Sequence, residues 1–319
     1  MTGDKPMDWL HAYEDELRVV FEENRRVISA FPEPLNARGL SYLNQFNVFN
    51  PDSNKNYICY LLPFWLQDPC GLNPELARRM SAGNVFLMLY FFLQDDLMDS
   101  PEASAAQALP LANLLYVEFL ATYLPLFPAD SPFWSCFSRY ISEWADSVSS
   151  EAGSDYYLND RIRISHKASP LKLSSTAALL LSSQSSSIPE AEEMIHTVLL
   201  TLQLLDDYED WEQDLEDGSY NCLLSLVRSC TGIAAGEPLT VAAVKDFIYV
   251  AGGFTEYTAT AQANHLMLEE AGLQLPLLVS FHLMLVQNLQ QIAAAIEAQK
   301  QLLLGGGLDY WLSTHANLS

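Results

Sequence analysis

The sequence predicts an all-α protein of about ten or more helices, and three observations carry that prediction. Apolar residues recur at three- and four-residue spacing over most of the chain, strand-like alternation is rare, and only 14 of the 319 residues are glycine. Half the residues are apolar, enough for a sizeable core. No Gly/Ser-rich or Pro-rich linker divides the chain, so residues 1–319 read as a single domain.

Helical periodicity runs through 7–29, 73–97, 103–124, 132–150, 189–217, 238–270 and 276–300. Before the second of these, Asn73 reads as an N-cap and Pro74 as the first helical residue, where a missing N–H costs nothing. The segment 189–217 opens in a similar way with Ser187 and Pro189. Short breaks such as "FPEP", "SIPE" and "GGG" separate the segments. The runs "VFLMLYFFL" (85–93) and "VLLTLQLL" (198–205) are apolar on nearly every side, which predicts two helices buried at the centre of the assembly.

Forty acidic residues against sixteen basic ones give a formal charge of −24, which argues against nucleic acid or an anionic membrane as partner. No stretch reaches the ~18 consecutive apolar residues of a membrane span. The N-terminus is acidic and amphipathic, unlike a signal peptide, so a soluble, cytoplasmic protein is expected. Cys59, Cys70, Cys136, Cys222 and Cys230 form no CxxC pair and suit reduced, packed thiols.

Both central apolar runs end in acids: Asp95, Asp96 and Asp99 follow the first, and Asp206, Asp207, Asp210 and Asp214 follow the second. On a helix Asp95 and Asp99 lie within about 40° of each other, while Asp96 points away by about 100°. Asp206, Asp210 and Asp214 advance by about 40° per step and form one stripe about 12 Å long, with Asp207, Glu209 and Glu212 off it. A charge run is usually a solvated helix face. Here like charges repel at i,i+4, and acids at a helix C-terminus meet the wrong end of its dipole. Divalent cations resolve both conflicts, because Mg²⁺ prefers carboxylate oxygens and is completed by water and substrate phosphates.

"DDLMD" at 95–99 resembles the first aspartate-rich DDxxD motif of trans-isoprenyl diphosphate synthases and class I terpene synthases. "DDYEDWEQDLEDGSYN" at 206–221 resembles their second metal motif. Its Asp206, Asp210, Asp214 spacing is also that of the cyclase triad, with Asp in all three places. The resemblance implies a class I terpenoid synthase-like helical bundle around a central cavity, and in such proteins a homodimer. It further implies three Mg²⁺ ions, completed by the diphosphate of a prenyl substrate and held by Asp95, Asp96, Asp99, Asp206, Asp207, Asp210 and Asp214.

Basic residues are scarce between the two motifs except in "RIRISHKASPLK", 161–172. Arg163 and Lys167 share a helical face there. Surface salt bridging is the plain reading, and a diphosphate clamp is the functional one. "HKAS" resembles the Lys-Thr-Ala stretch of prenyl synthases, whose Lys contacts diphosphate, and Arg161 or Arg163 stands where cyclases carry a diphosphate-sensing Arg. By the resemblance Arg161, Arg163, Lys167 and, less directly, Arg228 bind diphosphate, and Asp95, Asp99, Lys167 and Arg163 serve catalysis. The segment after Asp99, "SPEASAAQALPLANLL", lacks the arginines with which chain-elongating prenyl synthases bind isopentenyl diphosphate.

That absence favours a terpene synthase ionising one prenyl diphosphate, farnesyl or geranylgeranyl, over a prenyltransferase. "DGSYN" in place of Gly-Lys, and a C-terminus without Arg-Tyr, fit neither subfamily cleanly. A prenyltransferase to isopentenyl diphosphate or another acceptor, and a non-catalytic acidic helical binding protein, are the alternatives. Phe86, Tyr90 and Phe91 precede Asp95 where prenyl synthases floor the chain pocket, which implies a short, C15 substrate. Core packing is the competing reading, strongest for Phe86 and Phe92. The six histidines show no metal-binding pair by spacing, and His166 alone sits beside a proposed site residue.

Overall fold

The computed structural model describes residues 8–99, 105–151, 154–233 and 237–302, and among these there are sixteen α-helices and no strand. In chain order they are α1 (Asp8–His11), α2 (Glu14–Ser29), α3 (Leu35–Gln45), α4 (Tyr57–Trp65), α5 (Gln67–Cys70), α6 (Pro74–Asp99), α7 (Ala105–Tyr123) and α8 (Pro132–Ser150). There follow α9 (Tyr156–Asn159), α10 (Ile162–His166), α11 (Leu173–Leu181), α12 (Ile188–Asp217), α13 (Cys222–Thr231), α14 (Val241–Lys245), α15 (Gly253–Glu269) and α16 (Pro276–Leu302). The chain divides into two compact units. One comprises Met1–Ser142, Ser169–Glu192 and Gly272–Leu278, the other Glu143–Ala168, Glu193–Ala271 and Val279–Ser319.

In the first unit α6 is the central helix, packed against α2, α4 and α7. The Asn73 side chain accepts a 2.8 Å bond from the Leu76 amide, and the helix begins at Pro74 as the sequence predicts. Every residue of Val85–Leu89 is buried, as are Phe91 and Leu93. Each such side chain contributes about 1.5–3 kcal/mol. Two buried polar residues of this helix are partnered, Ser81 donating to the Tyr60 carbonyl at 2.6 Å and Asn84 Oδ1 accepting from Tyr123 at 2.9 Å, while the buried Gln94 Nε2 has no partner among the described residues.

The core of the second unit gathers Leu204 and Trp211 from α12, Leu223 and Val227 from α13, Phe254 and Tyr257 from α15, and Val286 and Leu289 from α16. The Tyr257 hydroxyl donates to the Leu204 carbonyl at 2.9 Å, which fixes the aromatic against the apolar half of α12. Helix α16 has the length and apolar composition of a bilayer span, but a third of it is buried and it carries Gln287, Asn288, Gln290 and Gln291 mid-helix.

Two predicted helices are broken. The 7–29 segment is interrupted at Tyr13, whose backbone leaves helical geometry at φ −120° and ψ 8°. The 238–270 segment runs from α14 into a π-helical turn (Asp246–Val250) and stops at Gly252, which takes the left-handed conformation at φ +76°. A Cβ at Gly253 would lie 2.1 Å from the Phe247 ring, so this second glycine lets the chain turn back over that side chain.

Candidate active site

The acidic stripe of α12 lies in the second unit. Asp206 and Asp210 are exposed and Asp214 is half-buried. Although much of the Asp206 side chain meets solvent, its carboxyl is crowded by protein. Loss of solvation, reinforced by Asp207, Asp210 and Glu209, raises its pKa from 3.8 to about 6. Burial also raises Asp214, with Asp210 adding repulsion, while a 2.8 Å bond from Asn221 Nδ2 eases it. Asp210 has no hydrogen-bond partner among the described residues.

Asp207 has a different job. It is buried, accepting from Gln203 Nε2 at 2.7 Å on one oxygen and from the Cys222 amide at 2.6 Å on the other. The second bond ties α12 to the first amide of α13, where Asn221 is the N-cap and accepts from Leu223 and Leu224 at 2.9 and 3.1 Å. Asn221 thus joins the cap to the stripe through Asp214 and to the Asp207 carbonyl at 2.8 Å. An Asn directly before "CLLSLV" is a readable cap signal, though its link to Asp214 is not.

Lys167 stands at the end of α10 with its Nζ 2.6 Å from Glu151 Oε1. Burial works against its charge, but Glu151 and, further off, Asp207 hold its pKa above the ordinary lysine value. Its field in turn lowers Asp206, Asp207 and Asp214. Lys167 and the stripe therefore share one electrostatic neighbourhood.

The three candidate arginines differ. Arg163 pairs with Asp146 at 2.7 Å and Asp160 at 3.5 Å, the salt-bridging reading of this patch. Arg161 stacks over Tyr157 at 4.3 Å and donates from Nε to the Tyr157 carbonyl at 2.9 Å, and its terminal nitrogens have no hydrogen-bond partner among the described residues. Arg228 donates from Nη1 to the Glu237 carbonyl at 2.7 Å.

In the first unit the end of α6 presents Asp95, half-buried, and Asp96, exposed. Asp99 ends the helix, and its side chain lies outside the described residues. Asp96 accepts a 2.8 Å bond from the Tyr42 hydroxyl of α3, a partner that residue spacing does not reveal. Burial first, then that bond, pushes the Tyr42 hydroxyl far above the ordinary tyrosine value. Phe86 and Phe91 are buried, while Tyr90 is partly exposed, meets Phe91 edge to face with centroids 5.0 Å apart and lies tilted against Tyr116 of α7 at 4.8 Å. Tyr116 extends this aromatic surface to Phe119 and Phe137.

No family model matches the chain, and no curated protein sequence matches it. A solved structure does: the geranylgeranyl pyrophosphate synthetase from the archaeon Geoglobus acetivorans superimposes with a TM-score of 0.61 over 85% of this chain and 98% of its own, at 15% sequence identity. This chain has the all-α isoprenyl diphosphate synthase fold. At that identity the likeness is one of architecture.

On this isoprenyl synthase fold the donor set of α12 suits Mg²⁺. It is all oxygen, it repels itself when ionised, and it spans about 12 Å, room for more than one ion. Asp206 gives a test that needs no substrate. Because folding raises its pKa, the folded state keeps the proton longer than the unfolded chain. The destabilisation is therefore absent below pH 3.8, grows between 3.8 and about 6, and is complete above it. In metal-free protein Asp206→Asn is expected to gain about 1 kcal/mol at pH 7.5, a value reduced for solvent screening, and nothing near pH 4. Denaturant melts at the two pH values check this.

Proposed function

We propose that the chain is a Mg²⁺-dependent class I terpene synthase that ionises one prenyl diphosphate, farnesyl or geranylgeranyl, and releases diphosphate. The observation that carries the reading is the Asp206, Asp210, Asp214 stripe, whose crowded carboxylates call for cations and lie in the field of Lys167. Mg²⁺ held by Asp95, Asp99, Asp206, Asp210 and Asp214 would supply positive charge to the departing diphosphate. Lys167 and the outward nitrogens of Arg161 offer donors to the same oxygens, Arg as a fork and Lys as a point charge. Glu151 keeps Lys167 charged and aimed.

Tyr90 and Phe91, one turn before Asp95, would face the prenyl chain and stabilise passing positive charge while excluding water. The absence of Lys and Arg between residues 100 and 138, where chain-elongating synthases carry arginines for a second diphosphate, favours ionisation over chain elongation. Prenyl transfer is the second reading, favoured by the Geoglobus acetivorans likeness, whose name is that of a synthetase.

Incubation with each allylic diphosphate and Mg²⁺, with and without isopentenyl diphosphate, separates the readings. A terpene hydrocarbon or alcohol plus diphosphate, formed without isopentenyl diphosphate, is the expected result. Longer prenyl diphosphates would establish transfer instead. No consumption of any substrate, with or without lysate acceptors, would leave an acidic helical binding protein.

A further inference from the structure

The histidines that show no pairing in sequence are brought together by the fold. Glu143 of α8, His166 at the end of α10 and His196 of α12 each offer one ligand atom, and these atoms all lie within 4.8 Å of one another. The two imidazoles meet edge to face, with centroids 5.3 Å apart and planes at 75°. His196 is only 9% exposed. The three residues come from three separate helices of the second unit, so their convergence is not an accident of one helix turn.

We propose that Glu143, His166 and His196 form a binding site for one zinc-class transition-metal ion, separate from the carboxylate stripe. The ligand types decide the class. Two imidazoles and one carboxylate are a recurrent zinc set that leaves a fourth position open for water, whereas Mg²⁺ takes oxygen ligands and prefers several waters. Ligand atoms around a tetrahedral zinc sit about 3.3 Å apart, given bonds of about 2.0–2.1 Å. The three ligand atoms, all within 4.8 Å of one another, have at most about 1.5 Å to close to reach that spacing. The stripe is elsewhere, since His196 precedes Asp206 by ten residues, about 15 Å along α12.

The consequence lies in where His166 is placed. It immediately precedes Lys167, so an ion bridging α8, α10 and α12 would fix the segment that presents Lys167. The site does not depend on the terpene synthase reading, and its test does not use turnover.

Untagged full-length protein, stripped with chelator and held in excess Mg²⁺, is titrated with Co²⁺. One equivalent is expected to bind, with the strong visible absorption of a low-coordinate ion, and one equivalent of Zn²⁺ should displace it. His196→Ala and Glu143→Gln should each weaken binding at least about tenfold with unchanged circular dichroism, and Asp210→Asn should leave it unaltered. Absence of Co²⁺ binding, or binding lost in Asp210→Asn and kept in His196→Ala, overturns the proposal. Should the variants fail to fold, X-ray absorption on the zinc-loaded wild type decides: a shell with two imidazoles supports the site, and an all-oxygen shell refutes it.

Discussion

Asp210→Asn should lower turnover of a prenyl diphosphate at least about a hundredfold, about 2.7 kcal/mol of transition-state stabilisation, with helical content unchanged. Asp210 is exposed and has no hydrogen-bond partner among the described residues, so the amide removes a charge and little else. A purely structural Asp in that setting would be silent, and only a metal-binding role makes the loss large. Asp95→Asn should behave alike. Asp217→Asn should be mild, because Asp217 is exposed and, among the described residues, accepts only from Gln213 Nε2 at 2.8 Å. Steady-state kinetics with farnesyl diphosphate at saturating Mg²⁺ checks the set, and equal small effects at all three positions would remove the stripe from the mechanism.

The long helices were legible because burial writes itself into periodicity. Helix α6 begins at the predicted cap, and α8, α12 and α16 fall within a few residues of the predicted segments. What escaped are the short helices α3, α4, α11 and α13, of 9 to 11 residues, too few turns to display a face. The break at Gly252 lies within the 238–270 segment that reads as one helix, and the Phe247 ring packed against Gly253 is a tertiary fact that periodicity does not carry.

The acidic stripe was legible for the same reason, since helix geometry alone puts Asp206, Asp210 and Asp214 on one side. Partners separated in sequence were not. Nothing in the spacing ties Lys167 to Glu151, Tyr42 to Asp96, or Asp207 to the amide of Cys222. The same holds for His265 and His282, whose Nδ1 atoms lie 3.1 Å apart inside the second unit. Sequence reading named the charges, and folding decided which of them answer one another.

The largest stability effect should come from a residue with no proposed part in the chemistry. Glu192 accepts from both terminal nitrogens of Arg139, at 2.9 and 2.5 Å, and from the Tyr140 hydroxyl at 2.5 Å, with only 12% of its side chain exposed. Lys172, fully buried, places its Nζ 4.5 Å from the centre of the same Tyr140 ring. Burial would raise the Glu192 pKa, but Arg139, Tyr140 and the Lys172 charge hold it below the ordinary value of 4.5. Glu192→Ala deletes the anion facing two cations and a buried hydroxyl, and should cost about 3 kcal/mol at pH 7. Because the folded-state pKa is depressed, this stabilisation is present above pH 4.5 and is lost as pH falls through the folded value, so the gap between wild type and variant should close in acid. Glu192→Gln, which can still accept from Tyr140, should lose less. Urea midpoints measured at pH 7 and again well below pH 4.5 test this, and a gap under about 1 kcal/mol, or one that ignores pH, would mean that the buried Lys172 charge is balanced by other groups.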